Sequence, residues 1–265
     1  MPSTVLQQKL SCYDEVFHNI QEMKKEDCLT DITLSLCDGS EIRAHRVILA
    51  AGSPYFKVMF TSGFKEAKQN VIQLPSLAPD AVNTIVDMLY TMKLPRIKQS
   101  NVESLLLAAS FLQVTAIVNH CANFMVKNLH ASNCLETLQL ITIYGSKSAE
   151  AKCLRFIDKS FEKCSKTESF LALDKETFQT IITRQRLAMP TVKVILTSVL
   201  DWVRHDSELR KEALPHLLNR IHLHSLPSEY IENEILTDEL ILENELCKKL
   251  VSQAISHQQT CAARP

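Results

Sequence analysis

The sequence predicts a predominantly helical α+β chain, with a mixed α/β domain at its amino end and an all-α domain after it. Three observations carry this reading. Two-residue alternation of apolar side chains is confined to short runs before residue 75, at Ile32, Leu34 and Leu36 and again at Val71 to Leu74. Elsewhere apolar residues recur at helical spacing, as far as a last amphipathic stretch at about Glu243 to His257. With 46% hydrophobic residues and only four Gly in 265, the chain can bury two cores, and disorder and a Gly-rich propeller are both disfavoured.

The first element, about Val5 to Lys24, gathers Val5, Leu6, Leu10, Tyr13, Phe17, Ile20 and Met23 into one stripe, which needs a surface later in the chain or on another subunit. A first strand at Ile32 to Leu36 reverses at Asp38-Gly39, because Gly takes positive φ cheaply, and Ile42 lies in the return strand. From His45 the period lengthens to a helix that halts at Gly52. Ser53 is then an N-cap and Pro54 a first helical residue. Asp31 and Arg46 stand against apolar neighbours, where an unpaired buried charge would be too costly. His45 has no nucleophile or paired carboxylate beside it, so it reads as a hydrogen-bonded structural histidine.

Pro79 and Asp80 open a helix with Val82, Ile85, Val86 and Leu89 inward, ending at Tyr90. Core helices follow over Val102 to Leu112 and Gln113 to Leu129. Asn133, with Glu136 three residues on, has capping-box logic for a helix over Leu135 to Tyr144, closed by Gly145 and Ser146. Ala149 to Cys164 continues as a second helix. Beyond it the pattern is helical throughout, with Pro190 starting a turn and a long apolar face from Val192 to Val203 beside Trp202.

The run AHRVILAAGSPYFKVMF, with LTDITL ahead of it and Tyr90 ending a later helix, closely resembles the BTB/POZ domain, a dimerisation and adaptor module. The remainder, through Asn133 to Leu135 and LDWVRHD at Leu200 to Asp206, resembles the BACK domain of BTB-BACK-Kelch proteins. The resemblance implies a BTB/POZ domain over 1–130, a BACK domain over 131–258 whose first part, 131–165, is the so-called 3-box, and a tail at 259–265 leading to an absent Kelch propeller. No Gly-rich blade repeat follows, so the sequence reads as a fragment of a longer protein or a form without its reader.

BTB adaptors that recruit cullin-3 carry a hydrophobic-x-Glu motif after the Pro54 helix, and Phe64-Lys65-Glu66 matches it in position and type. Phe64 would be an aromatic anchor and Glu66 would set orientation and partner choice by charge. The resemblance adds Tyr90 at the groove border and Leu138, Ile141 and Tyr144 in the 3-box as cullin contacts. It assigns Leu10, Tyr13, Phe17 and Ile20 to a dimer interface and Asp31 and Arg46 to a charged pocket at its base. Met92 replaces the small residue of the family's usual turn and would alter the groove rim.

The implied function is a homodimeric substrate adaptor joining the cullin-3 amino-terminal domain to a target in a cullin-RING E3 ubiquitin ligase, itself non-catalytic, with the protein substrate held by the missing Kelch domain. The alternative is a BTB dimer scaffold that recruits a non-cullin partner, such as a corepressor or host factor, or competes with adaptors. An enzyme ranks last, since no phosphate loop, paired-acid spacing or nucleophile elbow occurs.

Lys and Arg number 29 against 30 Asp and Glu, a net charge of −1, so nucleic acid is not an expected partner. Neither is a membrane, for no apolar run nears the roughly 20 residues that span one. The amino end lacks the order of a signal peptide, which places the chain in the cytoplasm, with the nucleus as a second location. Nine cysteines without a C-x-x-C pair read as reduced thiols, and no cofactor or metal is expected. His222 and His224 have no third ligand nearby. Cys153 and Cys247 have basic sequence neighbours that could favour a thiolate, but residues adjacent in a helix point apart and a buried inert thiol is the commoner state.

Overall fold

The chain divides into two compact units, residues 1–128 with 139–151 and residues 129–138 with 152–265. A computed structural model describes the backbone of residues 4–63, 65–184 and 189–262 and the side chains of residues 13–63, 67–184 and 192–258.

The first unit runs α1 (Thr4–Lys25), β1 (Ile32–Leu36), β2 (Glu41–Ala44), α2 (Arg46–Gly52), α3 (Pro54–Thr61), β3 (Val71–Leu74), α4 (Pro79–Thr91), α5 (Val102–Phe111) and α6 (Thr115–Lys127). The strands form one sheet in the order β2-β1-β3, with β1 antiparallel to β2 and parallel to β3. Alternation fixes which face is buried: Ile32, Leu34 and Leu36 point inward, and Leu34 lies opposite both Ile42 and Ile72. Helices α4 and α5 pack against each other and bury Val82, Ile85, Val86, Leu105 and Leu106.

The hairpin differs from the expected two-residue loop. Gly39 N–H donates to Leu36 C=O and Leu36 N–H to Ser40 C=O, so Cys37, Asp38 and Gly39 form the loop, with Gly39 left-handed at φ 81°. That is the three-residue turn in which glycine relieves the left-handed position. Ser53 acts as foreseen: its side chain accepts from Phe56 N–H at 3.2 Å and donates to Leu112 C=O at 2.6 Å. One hydroxyl thereby caps α3 and ties it to the end of α5. Met92 ends α4 in the left-handed region at φ 52°, with its N–H on Met88 C=O at 2.8 Å. A β-unbranched side chain tolerates there what glycine would adopt freely.

The second helical series runs α7 (Cys134–Tyr144), α8 (Lys147–Lys159), α9 (Phe161–Cys164), α10 (Glu168–Leu171), α11 (Lys175–Arg184), α12 (Met189–His205), α13 (Ser207–Arg210), α14 (Leu214–Leu218), α15 (Ser228–Tyr230), a π-type turn at Ile231–Ile235, α16 (Glu239–Leu242) and α17 (Glu245–Ala262). The single helix expected over Ala149 to Cys164 breaks at Ser160 into α8 and α9. Pro190 lies in the first turn of α12, where a missing N–H costs nothing, rather than in a separate turn. Helix α17 starts at Glu245 because Asn244 Oδ1 accepts from the N–H groups of Leu246 and Cys247.

Trp202 is the hub of the second unit. Its ring stacks on Phe178 at 4.4 Å, its Nε1 donates to Leu173 C=O at 2.9 Å, and the Arg210 guanidinium lies 4.2 Å over it. Arg210 Nη1 also donates to the carbonyls of Leu171 and Trp202, so one cation joins three elements around the indole.

Candidate docking groove

A groove of about 850 Å³ runs between α3 and β3. Tyr55, Val58 and Met59 form its helix wall; Val71, Ile72 and Gln73 form its strand wall, with Gln113 at one end. The local sequence explains its exposed apolar residues. In PYFKVMF, Phe56 faces inward and is fully buried, so Val58 turns outward and is 55% exposed, while Val71, the outward partner of buried Ile72, is 47% exposed. Phe111, also exposed, packs on Tyr55 with ring centroids 5.0 Å apart. The outer edge of β3 has no strand beside it among the described residues.

Between the two walls in sequence lie residues 62–70. Phe64 is outside the described residues. So are the side chains of Lys65 and Glu66, whose backbone belongs to a 3₁₀ turn over Lys65–Lys68. Arg46 braces this turn. Its guanidinium donates to Ala67 C=O at 3.2 Å and to Gln69 C=O, and it lies 4.9 Å over the Phe60 ring at the end of α3. Asp31 fixes Arg46 in turn, its Oδ1 accepting Arg46 N–H at 2.7 Å and its carbonyl accepting from Nε at 3.3 Å. The expectation that these two charges sit in an apolar interior is corrected, for Asp31 is exposed and Arg46 half-buried. The partners satisfying them are backbone groups of their own chain.

Tyr90 is also corrected. It is 1% exposed and faces the core, not a groove rim. Its hydroxyl accepts His45 N–H at 2.8 Å and pairs with His45 Nδ1 at 2.7 Å, while His45 Nε2 meets Cys28 C=O at 2.9 Å. Burial pushes the Tyr90 phenol above its ordinary value. His45 is therefore a structural connector between β2, α4 and the loop after α1. In α7, Leu138 and Ile141 are buried and offer no surface, Tyr144 is half-buried, and Ile143 is the exposed apolar residue. Three of the contacts the resemblance implied, Tyr90, Leu138 and Ile141, thus belong to cores as the chain stands.

The stripe of α1 divides. Near its carboxyl end the helix packs on α4 of its own chain, with Gln21 Nε2 donating to Tyr90 C=O at 3.2 Å and Lys24 paired with Asp87 at 3.0 Å. Earlier in the helix Tyr13 is 63% exposed, Val16 is exposed, and Phe17 and Ile20 are half-buried. The side chain of Leu10 is outside the described residues.

The thiols follow the commoner of the two readings, the buried inert cysteine. Cys153 and Cys247 are buried, and burial pushes the Cys247 thiol up to about 11, so its lysine neighbours do not favour the thiolate. His222 and His224 stack with ring centroids 5.5 Å apart and His257 joins at 5.3 Å, a convergence invisible in the sequence. Among the described residues no group of His, Cys, Asp and Glu has an arrangement that could hold a metal, and no helix is long and apolar enough to cross a membrane.

Sequence reasoning missed Tyr55, Val58, Met59 and Val71 as groove residues. The signal was present: α3 is apolar on more than one face, and a single sheet can bury only one of them.

Two family profiles match the chain, one described as BTB/POZ domain over residues 20–129 and one as BTB And C-terminal Kelch over residues 134–236. Kelch-like protein 25 of Xenopus tropicalis is 33% identical over 251 residues, 94% of this chain and 42% of that protein. Kelch-like protein 30 of Homo sapiens is 31% identical over 239 residues, covering 90% and 41%. Kelch repeat and BTB domain-containing protein 3 of Homo sapiens is 30% identical over 236 residues, covering 89% and 38%. The chain spans about two fifths of the length of the curated relatives it matches.

Proposed function

Because this chain belongs to the BTB-BACK family of Kelch-like proteins, we propose that it is a homodimeric, non-catalytic substrate adaptor that docks the amino-terminal domain of cullin-3 in a ubiquitin ligase. The observation that carries the reading is an open groove with exposed apolar residues on walls, α3 and β3, that stand on either side in sequence of the hydrophobic-x-Glu segment at 64–66. A guest helix lying along α3 covers Val58, Met59 and Val71, and Phe64 and Glu66 are its further proposed contacts. Burying side chains of this size contributes about 1.5–3 kcal/mol each before the costs of association. Orientation then comes from the Glu66 carboxylate.

Self-association rests on the exposed amino-terminal part of α1, where Tyr13 and Val16 have no cover from their own chain sufficient to bury them. A two-fold pair of such helices buries the stripe of both copies. The contribution to catalysis is proximity, since the chemistry is performed by other subunits. The protein substrate is assigned to a Kelch domain outside these 265 residues.

Titration calorimetry with a cullin-3 amino-terminal domain tests the site. Phe64→Ala combined with Glu66→Ala, and separately Val58→Asp, are expected to weaken binding at least about tenfold, roughly 1.4 kcal/mol, while the dimer persists. Affinity equal to wild type in both variants refutes the assignment, and copurification of a different protein in place of cullin-3 favours the scaffold alternative.

A further inference from the structure

The second unit holds two thiols whose meeting the sequence did not foretell. Cys134 opens α7 and Cys164 ends α9, 30 positions later; both are fully buried, and Cys134 Sγ donates to Cys164 Sγ at 3.4 Å. We propose that Cys134 and Cys164 are a reversible modification site, forming a disulfide when the protein meets hydrogen peroxide. A disulfide needs sulfurs about 2.05 Å apart, so the pair closes by about 1.4 Å. Helix α9 is one turn long, between Ser160 and Ser165.

The roles follow when the single Cys134 S–H donates to Cys164 Sγ and not to Ala131 C=O, which also lies at 3.4 Å. The donated S–H holds the Cys164 thiol below its ordinary value, while making that bond, together with burial, pushes the Cys134 thiol up. The Cys164 thiolate attacks one peroxide oxygen and the O–O bond breaks. Hydroxide leaves and, with the proton lost by Cys164, becomes water, and Cys164 holds a sulfenic acid. The Cys134 sulfur then attacks the Cys164 sulfur, the S–O bond breaks, and the departing hydroxide takes the Cys134 proton as a second water. Two thiols are oxidised and one peroxide is reduced to two waters.

Cys153 is the competitor, since it is buried and near enough to Cys134 to interact with it electrostatically. Trypsin separates the three candidates, cutting after Lys127, Lys152 and Lys163. The whole chain is treated with graded hydrogen peroxide, quenched, alkylated with N-ethylmaleimide in denaturant, digested and mapped by mass spectrometry. Exposed Cys28 and Cys37 report the dose. A peptide linking Cys134 to Cys164, formed at or below the dose that half-oxidises Cys28 and Cys37 and removed by dithiothreitol, is the expected result. It persists in Cys153→Ala, and in Cys134→Ser a dimedone probe labels Cys164. Full maleimide labelling of Cys134 and Cys164 after Cys28 and Cys37 are consumed, or linkage of Cys134 to Cys153, overturns the proposal. The wild-type map decides even where a variant fails to fold.

Discussion

Replacing Tyr90 with Phe removes one oxygen and leaves the packing, so it isolates the hydrogen bonds at the heart of the first unit. The hydroxyl accepts His45 N–H at 2.8 Å and contacts Nδ1 at 2.7 Å. Because His45 Nε2 faces Cys28 C=O at 2.9 Å, and a carbonyl only accepts, a neutral ring carries its proton on Nε2 and takes the tyrosine proton at Nδ1. In Tyr90→Phe a buried N–H loses its acceptor, about 1–3 kcal/mol, and Nδ1 loses its donor, about 1 kcal/mol. The sum is about 2–4 kcal/mol. With an m-value of about 2 kcal/mol per molar in urea, the unfolding midpoint falls by about 1–2 M. Far-UV circular dichroism in urea reads this. A midpoint within about 0.3 M of wild type, together with weakened cullin-3 binding, refutes the reasoning and returns the hydroxyl to a contact surface.

Arg46→Ala removes the brace on the 65–68 turn and is expected to weaken cullin-3 binding about tenfold while costing about 1 kcal/mol of stability, since the side chain is partly solvated; unchanged affinity by calorimetry contradicts the bracing role. Trp202→Ala empties the hub of the second unit and should cost about 3–5 kcal/mol in chemical unfolding, and a loss under about 1 kcal/mol would show that Phe178 and Arg210 close over the gap. Asp174 accepts Thr177 N–H at 2.9 Å at the start of α11, which holds its carboxyl below the usual aspartate range. A depressed folded value gives stability that is present above the unfolded value near about 3.9 and lost as pH falls below it. Hydrogen exchange in α11 should therefore speed up as pH drops from about 4, after correction for intrinsic rates. Asp174→Asn, which keeps a capping oxygen, should abolish that dependence, and an unaltered profile in the variant contradicts the cap.

How far the chain was legible depends on the range of the interaction. Alternation at Ile32, Leu34 and Leu36 and the Ser53-Pro54 punctuation are local, and both were read correctly with their buried faces and cap. The break at Ser160 was missed because apolar periodicity runs through it and the Ser160 side chain caps neither helix. The last helix was placed two residues early, at Glu243, because its start is set by the side-chain cap of Asn244. Site residues divide the same way. Tyr90, Leu138 and Ile141 carry the right chemistry for a contact, but whether an apolar side chain in a helix faces a partner or its own core is settled by distant elements. Val58 and Val71 were overlooked for the mirror reason: nothing adjacent says that they are left uncovered. The meeting of Cys134 with Cys164 is likewise a product of helix packing.

Light-scattering mass of the purified chain mixed with a cullin-3 amino-terminal domain is the most direct test of the adaptor account. Co-migration of the two proteins at the mass of two chains with two cullin domains is the predicted result. Separate elution, with the chain at the mass of one copy, contradicts it.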